Sequence, residues 1–179
     1  MKSFRIVEAH VNPEVIALPA DSSDMPEIMN LLIETAKWLS SKGIAQWSEL
    51  IEGEDKHNMA KRIEEGSVFK FEKYHKLVGV VILLEHPSLW DVELWGSECH
   101  EESLYLHRLA TSREHTGLGR EIMNWVEHGV LFSNKTQIRL DCIGTSVPLN
   151  NFYKSLEYNY RGQSPSGFSL FEKALITKS

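Results

Sequence analysis

Apolar residues along the chain follow two patterns, and together these predict a mixed α/β fold. Short apolar or alternating runs bounded by turn residues are typical of strands, whereas apolar residues three and four apart are typical of helices with one buried face. The strand pattern occurs at 15–18, 68–73, 77–84, 104–111, 137–142, 157–162 and 168–173. The helical pattern occurs between Asp24 and Gly43 and at 54–65, 117–129 and 148–155.

The order of these elements predicts a single mixed, mostly antiparallel central sheet of about six to seven strands, with helices on both faces. The strand–helix–strand unit from 104 to 142 predicts a right-handed crossover between parallel strands. The acidic segment 85–102 has no regular period and is predicted to be irregular. We expect one domain over 15–179, preceded by an N-terminal arm or extra strand at 1–14.

Composition and charge narrow the function classes. Of the 179 residues, 42% are hydrophobic and 25% charged, which suits one sizeable core. The formal net charge of −6 argues against a nucleic-acid partner. No apolar run is long enough to cross a membrane, so no membrane association is expected. Two cysteines, Cys99 and Cys142, are too few for a disulfide framework, and we expect a cytoplasmic protein.

The most informative segment joins the strand at 104–111 to the helix at 117–129 through a glycine-bearing turn. Backbone N–H groups and the positive end of the helix converge there, which makes an anion site. Gly117 and Gly119 would let the backbone approach the oxygens of the anion closely. A Gly-x-Gly before a helix is a weak signal by itself, because small residues at a helix start also serve close packing.

Two motifs carry a resemblance to a known family. The turn reads Glu114-His115-Thr116-Gly117-Leu118-Gly119, in the register of a Gln/Arg-x-x-Gly-x-Gly/Ala cofactor motif. A later segment reads Asp141-Cys142-Ile143-Gly144-Thr145-Ser146-Val147-Pro148-Leu149-Asn150-Asn151-Phe152-Tyr153, similar to Asp-Cys-x-x-x-Asn-x-x-Leu-Asn-x-Phe-Tyr. From about residue 15 to about residue 174 the chain resembles the GNAT superfamily of acetyl-CoA-dependent N-acetyltransferases.

The resemblance implies acetyl-CoA as cofactor and assigns residues to it. Backbone groups of the strand would bond the pantetheine arm as an added strand does. Tyr153 would be the general acid that protonates the leaving thiolate. The residues expected to bind the cofactor are Leu109, Ala110, Thr111, His115, Thr116, Gly117, Leu118, Gly119, Arg120, Ser146, Asn150 and Tyr153.

A general base is harder to assign. His107 is the best candidate because a histidine titrates near neutral pH, and strand alternation places it on the face of Tyr105 and Leu109. The alternative is a satisfied, half-buried histidine without a catalytic role. Glu85 and Glu93 are further candidates. The histidine spacings match no metal-ligand pattern, so no metal is predicted.

The acceptor pocket is expected to be formed by Gln46, Trp47 and the acidic segment 85–102, with Glu85 and Glu93 as substrate-binding residues. Trp47, Trp90 and Trp95 are candidates to line it, and aromatic faces together with carboxylates suit a cationic amine. Alternatively, Trp47 fills the core and the acidic segment is a solvated loop.

The sequence therefore predicts an enzyme, an N-acetyltransferase that moves an acetyl group directly from acetyl-CoA to a primary amine of a small molecule or peptide. The alternative is an acyl-CoA-binding sensor without acceptor chemistry. Glu114 favours that alternative because it replaces the family's Gln or Arg, and the loop is about two residues short. The chain could also form a homodimer through an exposed edge strand.

Overall fold

The computed structural model describes residues 3–176 and confirms the mixed α/β class. Its strands are β1 Phe4–Ile6, β2 His10–Asn12, β3 Val15–Pro19, β4 Val68–Lys73, β5 Lys76–Leu84, β6 Ser103–Thr111, β7 Val130–Phe132, β8 Gln137–Ile143, β9 Asn159–Gln163 and β10 Phe168–Ala174. Its helices are α1 Met25–Ser41, α2 Ser48–Ile51, α3 Met59–Glu64, α4 Leu89–Trp95, α5 Leu118–His128 and α6 Val147–Ser155.

Eight of the strands within 3–176 form one mostly antiparallel sheet in the order β2-β3-β4-β5-β6-β8-β10-β9. The strands β1 and β7 form a separate two-stranded sheet. The parallel pairing predicted between the segments at 104–111 and 137–142 is confirmed, because β6 and β8 are parallel, with Tyr105 opposite Arg139. The strand beyond the predicted number is β2, which pairs with β3 and lies in the segment expected to be an arm or extra strand.

One compact unit of the chain comprises 5–82 and 108–131. Its core includes the fully buried Phe69 and Phe71 of β4, and the indole of Trp125 on α5 packs against both rings, at 5.5 and 5.3 Å between centroids. Helix α5 also approaches β5 closely, since a Cβ at Gly79 would lie 2.8 Å from Cδ1 of Ile122. A side chain at position 79 would therefore force the Ile122 methyl to shift within this helix–sheet contact.

The N-terminal segment of this unit is attached to the end of α5. The N–H groups of Val7 and Glu8 both donate to the carbonyl of Gly129, at 2.8 and 3.1 Å. The Trp125 indole N–H donates in turn to the Glu8 carbonyl at 2.7 Å. These bonds fix the chain ahead of β2 although its sequence has no regular period.

The other compact unit contains 83–107 and most of the chain after Leu131. The predicted alternation in β8 is confirmed, because Ile138, Leu140 and Cys142 are buried and the residues between them are half-buried. On the half-buried face, Arg139 donates to Glu172 and to the hydroxyl of Tyr105, at 2.9 and 3.0 Å. This face of the unit is polar.

The acidic segment 85–102 was predicted to be irregular, and this is wrong, because it contains α4. The side chain of Ser88 accepts from the Asp91 N–H, and the Asp91 carboxylate accepts from the Ser88 N–H, which is a capping box. A serine and an aspartate that look solvated in the sequence thus start a helix.

The predicted helix at 54–65 is also shorter than expected. Its ordered part, α3, begins at Met59 because the side chains of Asp55 and Asn58 accept from the N–H groups of Met59 and Lys61. The short helix α2 was not predicted. No helix within 3–176 combines the length and the apolar character that spanning a bilayer requires.

Candidate active site

The turn between β6 and α5 ends in an open helix N-terminus. Gly117 precedes α5 with φ of +81°, a left-handed conformation that favours glycine, and it offers no side chain to cap the helix. A Cβ at Gly117 would meet nothing within 4 Å, so the backbone angle and not crowding requires glycine here. The first internal bond of the helix runs from the Glu121 N–H to the Gly117 carbonyl, at 3.3 Å. Leu118 and Gly119 precede that bond, so this end can receive an anion.

Glu114, which departs from the family pattern, has a carboxylate whose negative charge is exposed to solvent and paired with Lys76. Its side chain is 72% exposed and lies 3.6 Å from Nζ of Lys76. Arg113 folds back onto the strand, donates to the Thr111 carbonyl at 2.8 Å and stacks over the ring of Trp38 at 4.3 Å. The charge repulsion that favoured a sensor is therefore small, because solvent and Lys76 both screen the carboxylate.

A groove with a volume of about 590 Å³ lies beside the end of β6 in the same unit. One wall is α1, and the other includes Lys76, Leu77 and the stretch 111–113. Of the predicted cofactor residues, Thr111 lines this groove, whereas Gly117 lies further along the turn. The two cations Lys76 and Arg113 give the wall opposite α1 a positive character.

The parallel ladder between β6 and β8 is short. It joins Ser103–Tyr105 to 137–139, although β8 continues to Ile143 and β6 to Thr111. Past Tyr105, the backbone of β6 on this side is not part of the described ladder. A strand edge of this kind offers N–H and C=O groups to a ligand that adds like a strand.

Tyr153 lies on α6 in an aromatic cluster. It is 7% exposed, and its ring centroid lies 5.8 Å from that of Phe171. Burial raises the pKa of Tyr153 far above its ordinary value, and the neighbouring Cys142 and Asp141 add to the shift. The phenol is therefore protonated at neutral pH. Burial likewise raises the pKa of the Cys142 thiol to about 12, so this cysteine is no nucleophile at neutral pH.

Ser146 and Asn150 build the start of α6. The Ser146 hydroxyl caps the helix by accepting from the Leu149 N–H at 3.3 Å. The Asn150 amide donates to the carbonyls of Ser146 and Ile143, at 2.7 and 3.3 Å. Their side chains thus hold the turn before α6, and the cofactor contact predicted for them stays a prediction.

His107 is buried and paired with an aspartate that the sequence did not indicate. Its Nε2 lies 2.9 Å from one carboxylate oxygen of Asp91 and 3.1 Å from the other, and the two side chains are 5% and 1% exposed. The Ser88 hydroxyl also donates to Asp91 at 2.8 Å. Burial raises the pKa of Asp91, but the bonds and charge from His107 and Ser88 outweigh it, and the net pKa is lowered. His107 is thus more deeply buried than the half-buried alternative supposed.

The regular alternation used to place His107 is interrupted. Arg108 has φ of +55° in the middle of β6, and every residue of 103–108 is buried. The alternation that would place Leu109 on the same face as Tyr105 and His107 is therefore interrupted at Arg108. Asp141 joins Asp91 and His107, with one ligand atom of each within 4.8 Å of the others. Such a group could hold a metal ion, although the direct His107–Asp91 bond already uses two of its atoms, and the absence of a metal stays a prediction.

The residues predicted to bind the acceptor occupy diverse environments. Gln46 and Trp47 are half-buried, and Trp47 precedes α2 with φ of +64°. Glu85 is half-buried and accepts a hydrogen bond from the hydroxyl of Ser3. Glu93 is exposed on α4. Their role toward an acceptor stays a prediction.

The tryptophans expected to line the acceptor pocket already have ring contacts. The guanidinium of Arg108 lies 5.3 Å from the ring centroid of Trp47, and that of Arg139 lies 4.5 Å from the ring of Trp95. Trp90 packs edge-on against Phe168 and donates to Asp141 at 3.2 Å. Arg108 and Arg139 thus already lie over the rings of Trp47 and Trp95, where we expected the cationic amine of the acceptor.

Comparisons with known proteins support the resemblance. No family model matches the sequence. The chain is 45% identical, over 99% of its length and 100% of the relative, to an uncharacterized N-acetyltransferase, YesJ, of Bacillus subtilis strain 168. It is 33% identical to a GNAT-family acetyltransferase from Listeria monocytogenes 4b F2365, with a TM-score of 0.71 over 90% of this chain and 95% of that one.

A GNAT-family acetyltransferase from Streptococcus agalactiae 2603 has the same fold, with a TM-score of 0.74 at 20% identity over 91% of this chain and 96% of that one. The prediction of an acyltransferase and the prediction of acetyl-CoA as its cofactor are thereby confirmed. Similarity to the Bacillus relative over its full length, together with the Listeria structure, shows that the chain belongs to the GNAT family of acetyltransferases.

Proposed function

We propose that the protein transfers the acetyl group of acetyl-CoA directly to a primary amine of a small molecule or peptide. The observation that carries the proposal is the edge of β6, whose ladder with β8 ends at Tyr105 and Arg139. The same strand continues to Thr111 and enters the uncapped start of α5. A strand edge that leads into a helix N-terminus suits a ligand with a peptide-like arm and a diphosphate, which is the shape of coenzyme A.

In this proposal the diphosphate is bound by the stretch 115–120, and the pantetheine arm bonds the backbone of 109–111. Arg113 favours the approach of the phosphates by its charge, whereas the charge of Lys76 offsets that of Glu114. Glu114 opposes it only weakly, since its carboxylate is exposed and paired. Ser146 and Asn150 contribute by fixing the turn before α6.

The chemical step needs one proton acceptor and one proton donor. The amine nitrogen attacks the thioester carbonyl, the C–N bond forms, and the tetrahedral intermediate expels the thiolate as the C–S bond breaks. We assign the donor role to Tyr153, because the family resemblance places the general acid at this tyrosine of α6 and its phenol is protonated at neutral pH. Tyr153 then regains its proton from solvent.

We assign the base role to His107, which takes the proton that the attacking amine loses. Asp91 orients the imidazole and stabilises its protonated form. Glu85 and Glu93 remain weaker candidates, because neither is held in a comparable pair. Gln46 and Trp47 are proposed to contact the acceptor.

The place of the reaction and the assembly of the protein belong to the same proposal. Both cysteines, Cys99 and Cys142, are free thiols, as is usual in the reducing cytoplasm, where we place the protein. A homodimer stays a prediction, and sedimentation of the purified chain would measure it.

The proposed function is tested by titrating the protein with acetyl-CoA in a calorimeter and then measuring thiol release over a panel of primary amines. Binding followed by release with at least one amine is expected. Binding without release on every amine would support the acyl-CoA sensor, and no binding would contradict both.

Tyr153→Phe tests the mechanism with an acceptor found in this way. We expect kcat to fall about 10²-fold or more, with the Kd for acetyl-CoA unchanged within about twofold, because only the proton donor is lost. Tyr160→Phe is the matched control, since Tyr160 is 50% exposed on β9. Unchanged turnover in Tyr153→Phe would remove this residue from the mechanism.

A further inference from the structure

A buried arginine that the proposed mechanism does not use lies in the middle of β6. Arg108 is only 4% exposed, and it lies in the unit formed by 5–82 and 108–131. A guanidinium is charged at every physiological pH, so its burial is costly unless its donors are satisfied. Its surroundings therefore indicate what it binds.

Only some of the N–H donors of the Arg108 guanidinium have hydrogen-bond acceptors in the described part of the chain. Nη2 donates to the carboxylate of Glu49 at 2.9 Å. Nε and Nη1 are buried and have no hydrogen-bond partner within the described part of the chain. A guanidinium has five N–H donors, and these two nitrogens carry one and two of them. Buried donors left without an acceptor are rare in folded proteins, and each one calls for an explanation.

The neighbours of Arg108 shape a site for a flat anion. The ring of Trp47 lies over the guanidinium, with 5.3 Å between Cζ and the ring centroid. Glu49 keeps 21% of its side chain exposed, and Trp47 is half-buried, so these two residues connect the guanidinium to solvent. Because Glu49 already supplies one negative charge, a singly charged carboxylate fits better than a doubly charged phosphate.

We propose that Arg108 is a specificity-determining residue that binds a carboxylate of the acceptor, so that the acceptor is an amine that also carries a carboxylate, such as an amino acid or an acidic peptide. The inference rests on the proposed function. Arginine binds carboxylates through paired N–H bonds, and the unpartnered Nε and Nη1 supply such donors. Arg108 also follows His107 directly in the chain, so the anion site and the candidate base belong to the same strand.

The experiment compares amines that differ only in the carboxylate. L-Leucine is paired with 3-methylbutylamine and L-phenylalanine with 2-phenylethylamine, and kcat/KM is measured by thiol release with acetyl-CoA. Wild type is expected to favour the acid of a pair at least tenfold. Arg108→Gln is expected to reduce this acid-to-amine ratio at least tenfold, mainly through KM. Arg108→Lys, which keeps the charge but not the paired donors, should reduce it less.

Two further variants sharpen the test. Glu49→Gln removes the competing carboxylate and is expected to raise the acid-to-amine ratio. Lys61→Gln removes an exposed positive charge from α3 and should leave the ratio within about twofold of wild type. Should Arg108→Gln fail to fold, Arg108→Lys carries the comparison. A ratio that Arg108 variants leave within twofold would overturn the inference.

A carboxylate could also reach Arg108 on the acyl group instead of the acceptor. Wild type and Arg108→Lys are therefore compared with acetyl-CoA and succinyl-CoA, and a change confined to the choice of donor would overturn the assignment to the acceptor. Absence of thiol release with every amine counts against the proposed function itself. In that case calorimetric binding of N-acetyl-L-leucine to the CoA-bound protein judges Arg108 separately. Weaker binding in Arg108→Lys supports the inference, and equal binding refutes it.

Discussion

The pair formed by Asp91 and His107 provides a quantitative test of the structure, through the variant Asp91→Ala. The imidazole of His107 donates to the Asp91 carboxylate at 2.9 Å, and a hydrogen bond to a charged group contributes about 1.5–3 kcal/mol net. The loss of one partner costs more than this, because the other stays buried without its hydrogen bond.

Breaking a buried pair typically costs about 3–5 kcal/mol. We expect the lower end here, because an imidazole left without its partner is less costly to bury than a fixed charge. Asp91 also accepts from the Ser88 N–H in the capping box, and loss of that bond adds about 1 kcal/mol. Asp91→Ala should therefore lower the free energy of unfolding by about 4 kcal/mol, a large share of the roughly 5–15 kcal/mol usual for a domain.

The measurement is urea unfolding at pH 7, followed by tryptophan fluorescence and circular dichroism. Glu93→Ala is the matched control, since Glu93 is exposed on the same helix and should cost less than about 0.5 kcal/mol. Asp91→Asn keeps the shape and the cap and should cost about half as much as Asp91→Ala. In a double-mutant cycle with His107→Gln, a coupling of about 1–3 kcal/mol is expected. Additivity within about 0.5 kcal/mol, or equal losses in Asp91→Ala and Glu93→Ala, would refute the reasoning.

Three further predictions concern packing, the turn and pH. Gly79→Ala should lower the free energy of unfolding by about 1–3 kcal/mol in a urea melt, because the new Cβ would lie 2.8 Å from the Ile122 side chain. Gly117→Ala should weaken calorimetric binding of acetyl-CoA and cost about 1–2 kcal/mol of stability, owing to its φ of +81°, whereas Gly117→Asn should be milder. The lowered pKa of Asp91 stabilises the fold above its ordinary value of 3.8, and this contribution is lost as the pH falls through the lowered pKa. Acid titration should therefore show a shallower loss of stability in Asp91→Asn than in wild type, and parallel curves would contradict the assignment.

Elements with uniform burial were predictable from the sequence. The apolar strand β5 and the alternating β8 match their predicted ranges closely, because hydrophobic burial leaves a direct periodic signal. The tight turn between β4 and β5 fills the gap between the runs predicted at 68–73 and 77–84. Tyr74 and His75 both have positive φ there, as a tight hairpin turn requires.

Structure that depends on hydrogen bonds between polar side chains was not predictable from the pattern of hydrophobic residues. Helix α4 depends on the reciprocal bonds of Ser88 and Asp91, and the spacing Ser-x-x-Asp was the signal that could have revealed it. The pairing of Asp91 with His107 joins residues 16 apart, so no local pattern indicates it.

Arg108 illustrates a second limit of sequence reasoning. A charged residue inside an apolar strand is ordinarily expected on the solvated face, yet here it is buried with a left-handed backbone. The interruption at Arg108 also removes the basis for placing Leu109 on the face of Tyr105 and His107 by alternation. Irregular backbone at one residue shifts every later side chain of the strand, and hydrophobicity alone does not report it.

The attachment of the N-terminal segment to the end of α5 matters for anyone who shortens this chain. A version that starts at β3 would lack the Val7 and Glu8 N–H groups that donate to the Gly129 carbonyl. It would also lack the Glu8 carbonyl, which accepts from the Trp125 indole N–H. The apolar rings of β4 beneath that indole would then be nearer to water. Val7 and Glu8 therefore cover this end of the core, and a chain that lacks them is expected to expose it.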